Sequence, residues 1–305
     1  MKSPFFKGVL FVFFGAICFS TKGIFAKLAY QYNVNGLQVL MLRMLFALPF
    51  YVLILWNEYR RRKPTSISKN DWTNVIILGL VGYYLAALFD FIGLQYVSAT
   101  LERNVIFIYP TFVLILSKLF YNRKINKIQI TAVLLCYIGI IIAFYSDKAY
   151  YKSDSLTKGT IFILLSALTY AFYLVKSDNL IKNIGTIRFT CISMIVSCLA
   201  VILHYLLIYG VDIINFPTPV YFIGFTIAVL STVLPSFLMT KGISYIGSSN
   251  MAIIASIGPI ATIILSYYIL NEAFTLMHLI GTTFVLIGIL IISILSNGKN
   301  KRVES

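Results

Sequence analysis

Charge is what this sequence has least of: 11% of its 305 residues are Asp, Glu, Lys or Arg, and only 10 are acidic. Soluble domains average about 25% charged and about 45–50% apolar residues. Here 59% are hydrophobic and the mean hydropathy is +0.89. Such a chain cannot cover a water-facing surface, which excludes a soluble globular protein. Histidine is nearly absent, and neither His204 nor His278 has a ligand-type residue three or four positions away, so no metal site is expected. Cys18, Cys136, Cys191 and Cys198 form no CxxC or CxxH cluster and sit inside apolar runs, where packing is their expected role. A GxxxxGK[ST] motif is missing, which leaves an ATP-driven pump unsupported. The longest connections, Asn57 to Trp72 and Asp147 to Lys158, carry no nucleophile–base pair, which argues against a membrane enzyme. No cofactor is expected.

What the sequence has instead is long apolar runs. Crossing a hydrocarbon core of about 30 Å takes about 20 apolar residues as helix. Runs of that kind extend over Phe5–Lys27, Gly36–Trp56, Thr73–Tyr96, Val97–Tyr121 and Ile128–Ser146, then over Gly159–Ser177, Ile187–Tyr209, Val220–Tyr245, Asn250–Leu270 and Thr275–Leu295. They do not alternate as barrel strands would. The reading is an all-α polytopic membrane protein with ten transmembrane helices. The first run exceeds the roughly 7–15 residues of a signal-peptide core and no cleavage site clearly follows, so it reads as a retained helix.

The formal charge of +15 could suggest a nucleic-acid partner, but the basic residues lie between the spans rather than on one soluble face, so none is expected. Counted by side, sixteen Lys and Arg fall with the N-terminus, among them Arg60, Arg61, Arg62 and Lys63, against four opposite: Lys27, Lys148, Lys152 and Lys158. Lys and Arg concentrate on the cytoplasmic side of membrane proteins, which predicts a multi-pass protein of the cell inner membrane with both termini cytoplasmic.

Sliding the second half over the first by 149 positions aligns Pro110 with Pro259, Ile115-Leu116-Ser117 with Ile264-Leu265-Ser266, Asn122 with Asn271, and Ile138-Gly139-Ile140 with Ile287-Gly288-Ile289. A shift of 151 aligns Lys7-Gly8 with Lys158-Gly159. The expected units are residues 1–147 and 148–305, five helices each. Because five is odd, the second copy enters the membrane from the other side. The Arg-rich connection after the second helix accordingly has a counterpart, Gly210 to Pro219, without Lys or Arg. Inverted repeats of this kind are a hallmark of secondary transporters, which carry a midplane site between halves that rock. A channel would more usually repeat a ring through oligomer symmetry.

Individual motifs resemble the EamA branch of the drug/metabolite transporter superfamily over essentially the whole chain. They are Gly15-Ala16 through Phe25-Ala26-Lys27, Arg43, Asp90-Phe91-Ile92-Gly93-Leu94-Gln95-Tyr96, Ser98-Ala99-Thr100-Leu101-Glu102-Arg103 leading to Tyr109-Pro110-Thr111, and Leu270-Asn271-Glu272. Arg123 departs from the acid common at the first-half counterpart of Glu272 and is assigned no role. The resemblance implies ten helices, cytoplasmic termini, a central cavity, and carriage of amino acids and their derivatives, nucleotide-linked metabolites, quaternary amines or other small organic solutes. A small-molecule substrate and the bilayer are the expected partners, with monomer and homodimer both open. Catalysis is not expected; a membrane-embedded enzyme or a channel is the alternative.

Six ionisable residues fall well inside the runs: Lys22, Arg43, Asp90, Glu102, Arg103 and Lys241. A charge at a helix centre costs about 2.5–3.5 kcal/mol on insertion scales, against about 0.3–0.6 returned by a Leu, so these residues must face partners or water. Topology puts all but Lys241 in the outer half, three positive and two negative. Two readings stand: a site whose spare cation receives a substrate carboxylate or phosphate while an acid receives an amine, or an ion-paired plug that fixes packing. Asp90 and Glu102 are the only acids inside spans, so either could carry a coupling proton, with Glu102 favoured and Asp90 paired to Lys22 or Arg43. Ser166, Tyr170, Tyr173 and Ser177 recur with helical spacing, and Tyr109 stands seven residues after Glu102 as Pro110 does after Arg103. Tyr109, Tyr170 and Tyr173 are candidate lining residues. Pro110 and Pro259, with Pro235, are candidate hinges.

Overall fold

In a hydrocarbon environment a helix satisfies its own backbone hydrogen bonds, and the apolar runs fold accordingly. The computed structural model describes residues 4–61, 67–122, 126–148, 153–210, 215–255, 257–272 and 275–300; among these every regular element is helical. The order is α1 (Pro4–Tyr30), α2 (Gly36–Arg61), α3 (Lys69–Gly79), a π-helical segment (Leu80–Leu85), α4 (Ala86–Gly93), α5 (Ala99–Ile106), α6 (Tyr109–Tyr121) and α7 (Lys127–Asp147). There follow α8 (Ser153–Ile184), α9 (Thr186–Tyr209), α10 (Thr218–Ala228), a second π segment (Val229–Val233), α11 (Leu234–Ala255), α12 (Ile257–Leu270) and α13 (Leu276–Asn300).

Eight stretches of 21 to 29 residues are long and apolar enough to cross a membrane. At about 1.5 Å per residue, even the shortest reaches about 31 Å. With 14 residues, α12 is shorter, about 21 Å. Large apolar side chains such as Leu207, Phe222, Leu119 and Tyr268 point outward, the inverse of a soluble surface. The chain is therefore a multi-pass membrane protein.

Glycines set how closely the helices approach. A Cβ on Gly139 of α7 would stand 2.4 Å from the Gly281 carbonyl of α13, and one on Gly288 2.5 Å from the Ala132 carbonyl. Residue numbers rise along one helix as they fall along its neighbour, so the pair is antiparallel, with backbones drawn together where no side chain intervenes. The same antiparallel contact recurs between α1 and α11, through Gly8 and Gly242, and between α4 and α8, through Gly93 and Gly159. Irregularities recur as well. The two π segments are separated by the offset that aligns the halves, and Asn122 and Asn271, the residues after α6 and α12, are both left-handed with φ of 51° and 52°.

The run Val97–Tyr121 is not one uninterrupted helix. Phe107 and Ile108 form a turn between α5 and α6, because Pro110, in the first turn of α6, has no N–H to continue the ladder. Glu102 and Tyr109 therefore do not share a continuous helical face, nor do Arg103 and Pro110. Pro110 is thus not mid-helix, and Pro259 is the third described residue of α12.

Candidate functional site

Five charged side chains from four helices converge in the bundle. The Lys22 ammonium of α1 bridges Asp90 of α4 and Glu102 of α5, donating to Asp90 Oδ2 and, at 3.1 Å, to Glu102 Oε1. All three are buried. A single ammonium cannot satisfy two carboxylates: Asp90 Oδ1 and Glu102 Oε2 have no hydrogen-bond partner among the described residues. Gly23, one residue past Lys22, makes room for the acid, since a Cβ there would stand 3.3 Å from Glu102 Oε2.

Both guanidiniums are held without carboxylates. Arg43 of α2 donates from Nε to Thr232 Oγ1 at 2.9 Å and lies over the Phe91 ring at 5.4 Å. Arg103 of α5 donates to Thr262 Oγ1 at 3.2 Å and to the Phe19 carbonyl at 2.9 Å, with the Phe19 and Phe107 rings 5.3 and 5.9 Å away. Among the described residues neither has an acidic partner within 4.0 Å. This divides the cluster otherwise than a neutralising network would: Lys22 takes both acids, and Arg43, not Asp90's partner, stays available. Lys241 is outside the cluster, exposed against Phe11; its length lets the ammonium leave the apolar face.

From Arg103 a file of rings leads away: Phe107 to Tyr109 at 6.3 Å, Tyr109 to Tyr170 at 5.3 Å, and Tyr170 to Tyr173 at 6.0 Å. Tyr173 donates to Tyr83 of the first π segment at 3.1 Å and packs where Gly82 leaves space. Tyr109, Tyr170 and Tyr173 thus stand together, on α6 and α8. Beyond them Ser177, Ser117 and Tyr121 line a cavity of about 290 Å³, and Asn74, Lys176 and Asn183 line another of about 410 Å³. Each π segment supplies a polar side chain to these contacts, Tyr83 to Tyr173 from one and Thr232 to Arg43 from the other, a placement common for such bulges.

Sequence reasoning singles out Ser98 and Glu272 only as motif residues and misses Asp147 and the second polar group that these form with His278, at the end of the bundle where α5 begins. Asp147, the last residue of α7, is 1% exposed. It accepts from Ser98 N at 3.0 Å and Ser98 Oγ at 2.9 Å, and contacts His278 Nε2 at 2.8 Å. Glu272 accepts from Ala99 N at 2.9 Å. Burial pushes the Glu272 carboxyl above its ordinary range, opposed by the Ala99 N–H and the Lys27 ammonium. Asp90 and Glu102 are therefore not the only buried acids.

The EamA-like transporter family matches twice, over residues 6–145 and 157–294. The Bacillus subtilis (strain 168) protein named "Uncharacterized transporter YcbK" is 36% identical over 280 residues, covering 90% of this chain and 88% of the relative. The Salmonella typhimurium protein named "Uncharacterized inner membrane transporter YicL" is 26% identical over 298 residues, 94% of this chain and 95% of its own. A solved structure, titled "Crystal structure of protein", superimposes with a TM-score of 0.61 at 13% identity over 98% of this chain and 99% of its own, a likeness of fold.

Proposed function

The chain belongs to the EamA-like transporter family, and we propose that it is a secondary carrier moving a small charged or zwitterionic organic solute, amino-acid-like in its chemistry, across the inner membrane by alternating access. One observation carries the substrate class: two buried guanidiniums that have no acidic partner among the described residues, beside two buried carboxylates that share one ammonium. A guanidinium presents a planar fork suited to a carboxylate or phosphate, and an amine fits the unpartnered carboxylate oxygens. Ten spans in two inverted units, 1–147 and 148–305, are supported by the antiparallel glycine contacts, which exchange under the repeat offset: Gly139 against Gly281 becomes Gly288 against Ala132. The matching π segments and left-handed asparagines support the same reading.

Reporter fusions at Ser66, Asp147, Asn183, Thr218 and Ser305 are expected to read inside, outside, inside, outside and inside. Fusions at Ser66 and Thr218 reporting the same side would end the inverted-repeat reading.

For function, purified protein in proteoliposomes is offered pooled amino acids, nucleotides and amines with and without a pH gradient. Arg43→Met or Arg103→Met is expected to lower flux of the transported solute at least tenfold, the equivalent of about 1.4 kcal/mol or more, while the detergent melting temperature stays within a few degrees of the parent. Neither change strands a buried carboxylate, so folding is spared. Undiminished flux, or loss of folded protein in step with flux, would favour an ion-paired plug instead.

A further inference from the structure

The start of α5 is held unusually firmly. A helix N-terminus exposes N–H groups with no partner in the helix and a partial positive charge that carboxylates neutralise. Ser98 caps α5, accepting from Leu101 N at 2.9 Å. Asp147 of α7 then takes both the N–H and the hydroxyl of that cap, and Glu272, from the connection between α12 and α13, takes Ala99 N. Contacts among the described residues here join the first 147 residues to the remainder, among them Asp147 to His278 at 2.8 Å, Ala99 to Glu272 at 2.9 Å, Thr100 to Ser266 at 3.1 Å and Ser146 to Thr275 at 2.6 Å. Glu102 and Arg103 follow within one turn.

We propose that Asp147 and Glu272 are positioning residues of transport: together with His278 they form a latch that fixes the N-terminus of α5, holds this end of the bundle closed, and must part for the charged site to open there. The inference rests on the alternating-access reading above, because only relative movement of the halves requires these bonds to break. Asp147 is central, since its Oδ1 atom alone joins Ser98 of one half to His278 of the other. The cavities at Ser177 and Asn183 lie toward the other end of α8, as expected of a carrier closed at the latch.

The test needs no known substrate. Val97 precedes the cap and is fully buried, so Val97→Cys in the full chain reports opening by its reaction rate with a membrane-impermeant maleimide, added to sealed vesicles of either orientation. Asp147→Ala, and separately Glu272→Gln, are expected to raise that rate at least tenfold from one face, while Cys136, buried midway along the α7–α13 contact, stays unreactive. An unchanged rate at position 97, or equal acceleration at Cys136, which marks general loosening, would overturn the latch. The transport reading is tested apart, with Ser146→Cys and Thr275→Cys oxidised to a disulfide. A latch in a moving carrier predicts loss of flux that reductant restores; full flux through the cross-linked protein, with maleimide opening still seen in Asp147→Ala, would leave the contacts as a closure that opens but would count against alternating access and against Asp147 and Glu272 as positioning residues of transport.

Discussion

Lys22→Met is expected to deplete folded protein severely as well as to abolish transport, the largest effect of any single substitution in the chain. The ammonium is the charged partner of both Asp90 and Glu102, which are respectively 4% and 0% exposed and each already leave one oxygen without a partner. Removing one side of a buried ion pair costs about 3–5 kcal/mol, because the remaining charge is stranded in low dielectric. Here two carboxylates are stranded at once, against a total stability that for most proteins is about 5–15 kcal/mol. Size-exclusion profiles and melting temperatures in detergent measure the loss. The triple variant Lys22→Met, Asp90→Asn, Glu102→Gln is expected to recover much of the folded yield without recovering flux, since no charge then needs a partner. A Lys22→Met protein that folds like the parent would show that the two acids do not depend on this ammonium.

The contrast with Arg43 and Arg103 follows from what each cation touches. Hydroxyls and ring faces lose a favourable neighbour when a guanidinium is removed, but they are not left charged. Lys22 is thus expected to act as the structural cation of the cluster and the arginines as its exchangeable ones. That division could not be read from the sequence.

What the sequence did carry was everything that depends on composition and period. The helical runs, the offset between halves and the six intramembrane charges are visible because apolar length and stray charge are local properties. Lys22, Arg43, Asp90, Glu102 and Arg103 do converge. Partner choice, by contrast, depends on contacts across large separations. Asp147 meets Ser98 across 49 positions and His278 across 131, and Glu272 meets Ala99 across 173. Asp147 also stands just past the fifth apolar run, where an acid reads as a solvated helix end; only packing of α13 and α5 around it makes it buried. His278 fails every local ligand test because its partner is not on its own helix. The break at Phe107–Ile108 was signalled by Pro110, but the helical period continues through it, and period alone cannot register a turn. The two π segments have no distinctive residue type at all; their matching positions emerge only in the folded chain.

Glu102→Gln is expected to separate binding from coupling: substrate counterflow without any gradient stays within a fewfold of the parent, while pH-driven accumulation is lost. The amide keeps the size of the acid and can still accept from Lys22 through its oxygen, so the cluster remains assembled with Asp90 as the full counter-ion. What the amide cannot do is take up or release a proton. Of the two acids in the cluster, Glu102 is the better placed to report movement. It lies in the first turn of α5, directly behind the cap that Asp147 and Glu272 hold, so displacement of that helix changes its distance to Lys22. Asp90 sits near the end of α4, which packs through Gly93 against α8 of the other half. Proton arrival at Glu102 would cancel its attraction for the shared ammonium and leave Lys22 with Asp90 alone, which removes the charge tie between α1 and α5. Loss of the proton restores it. A side chain that merely packed would give the opposite pattern in Gln, with exchange and accumulation falling together. The measurement is paired counterflow and gradient-driven uptake in the same Glu102→Gln vesicles, using whichever pooled solute the parent protein moves. Accumulation driven by pH at the parental level in that variant would remove Glu102 as the coupling acid and shift the assignment to Asp90, for which Asp90→Asn is the matching experiment.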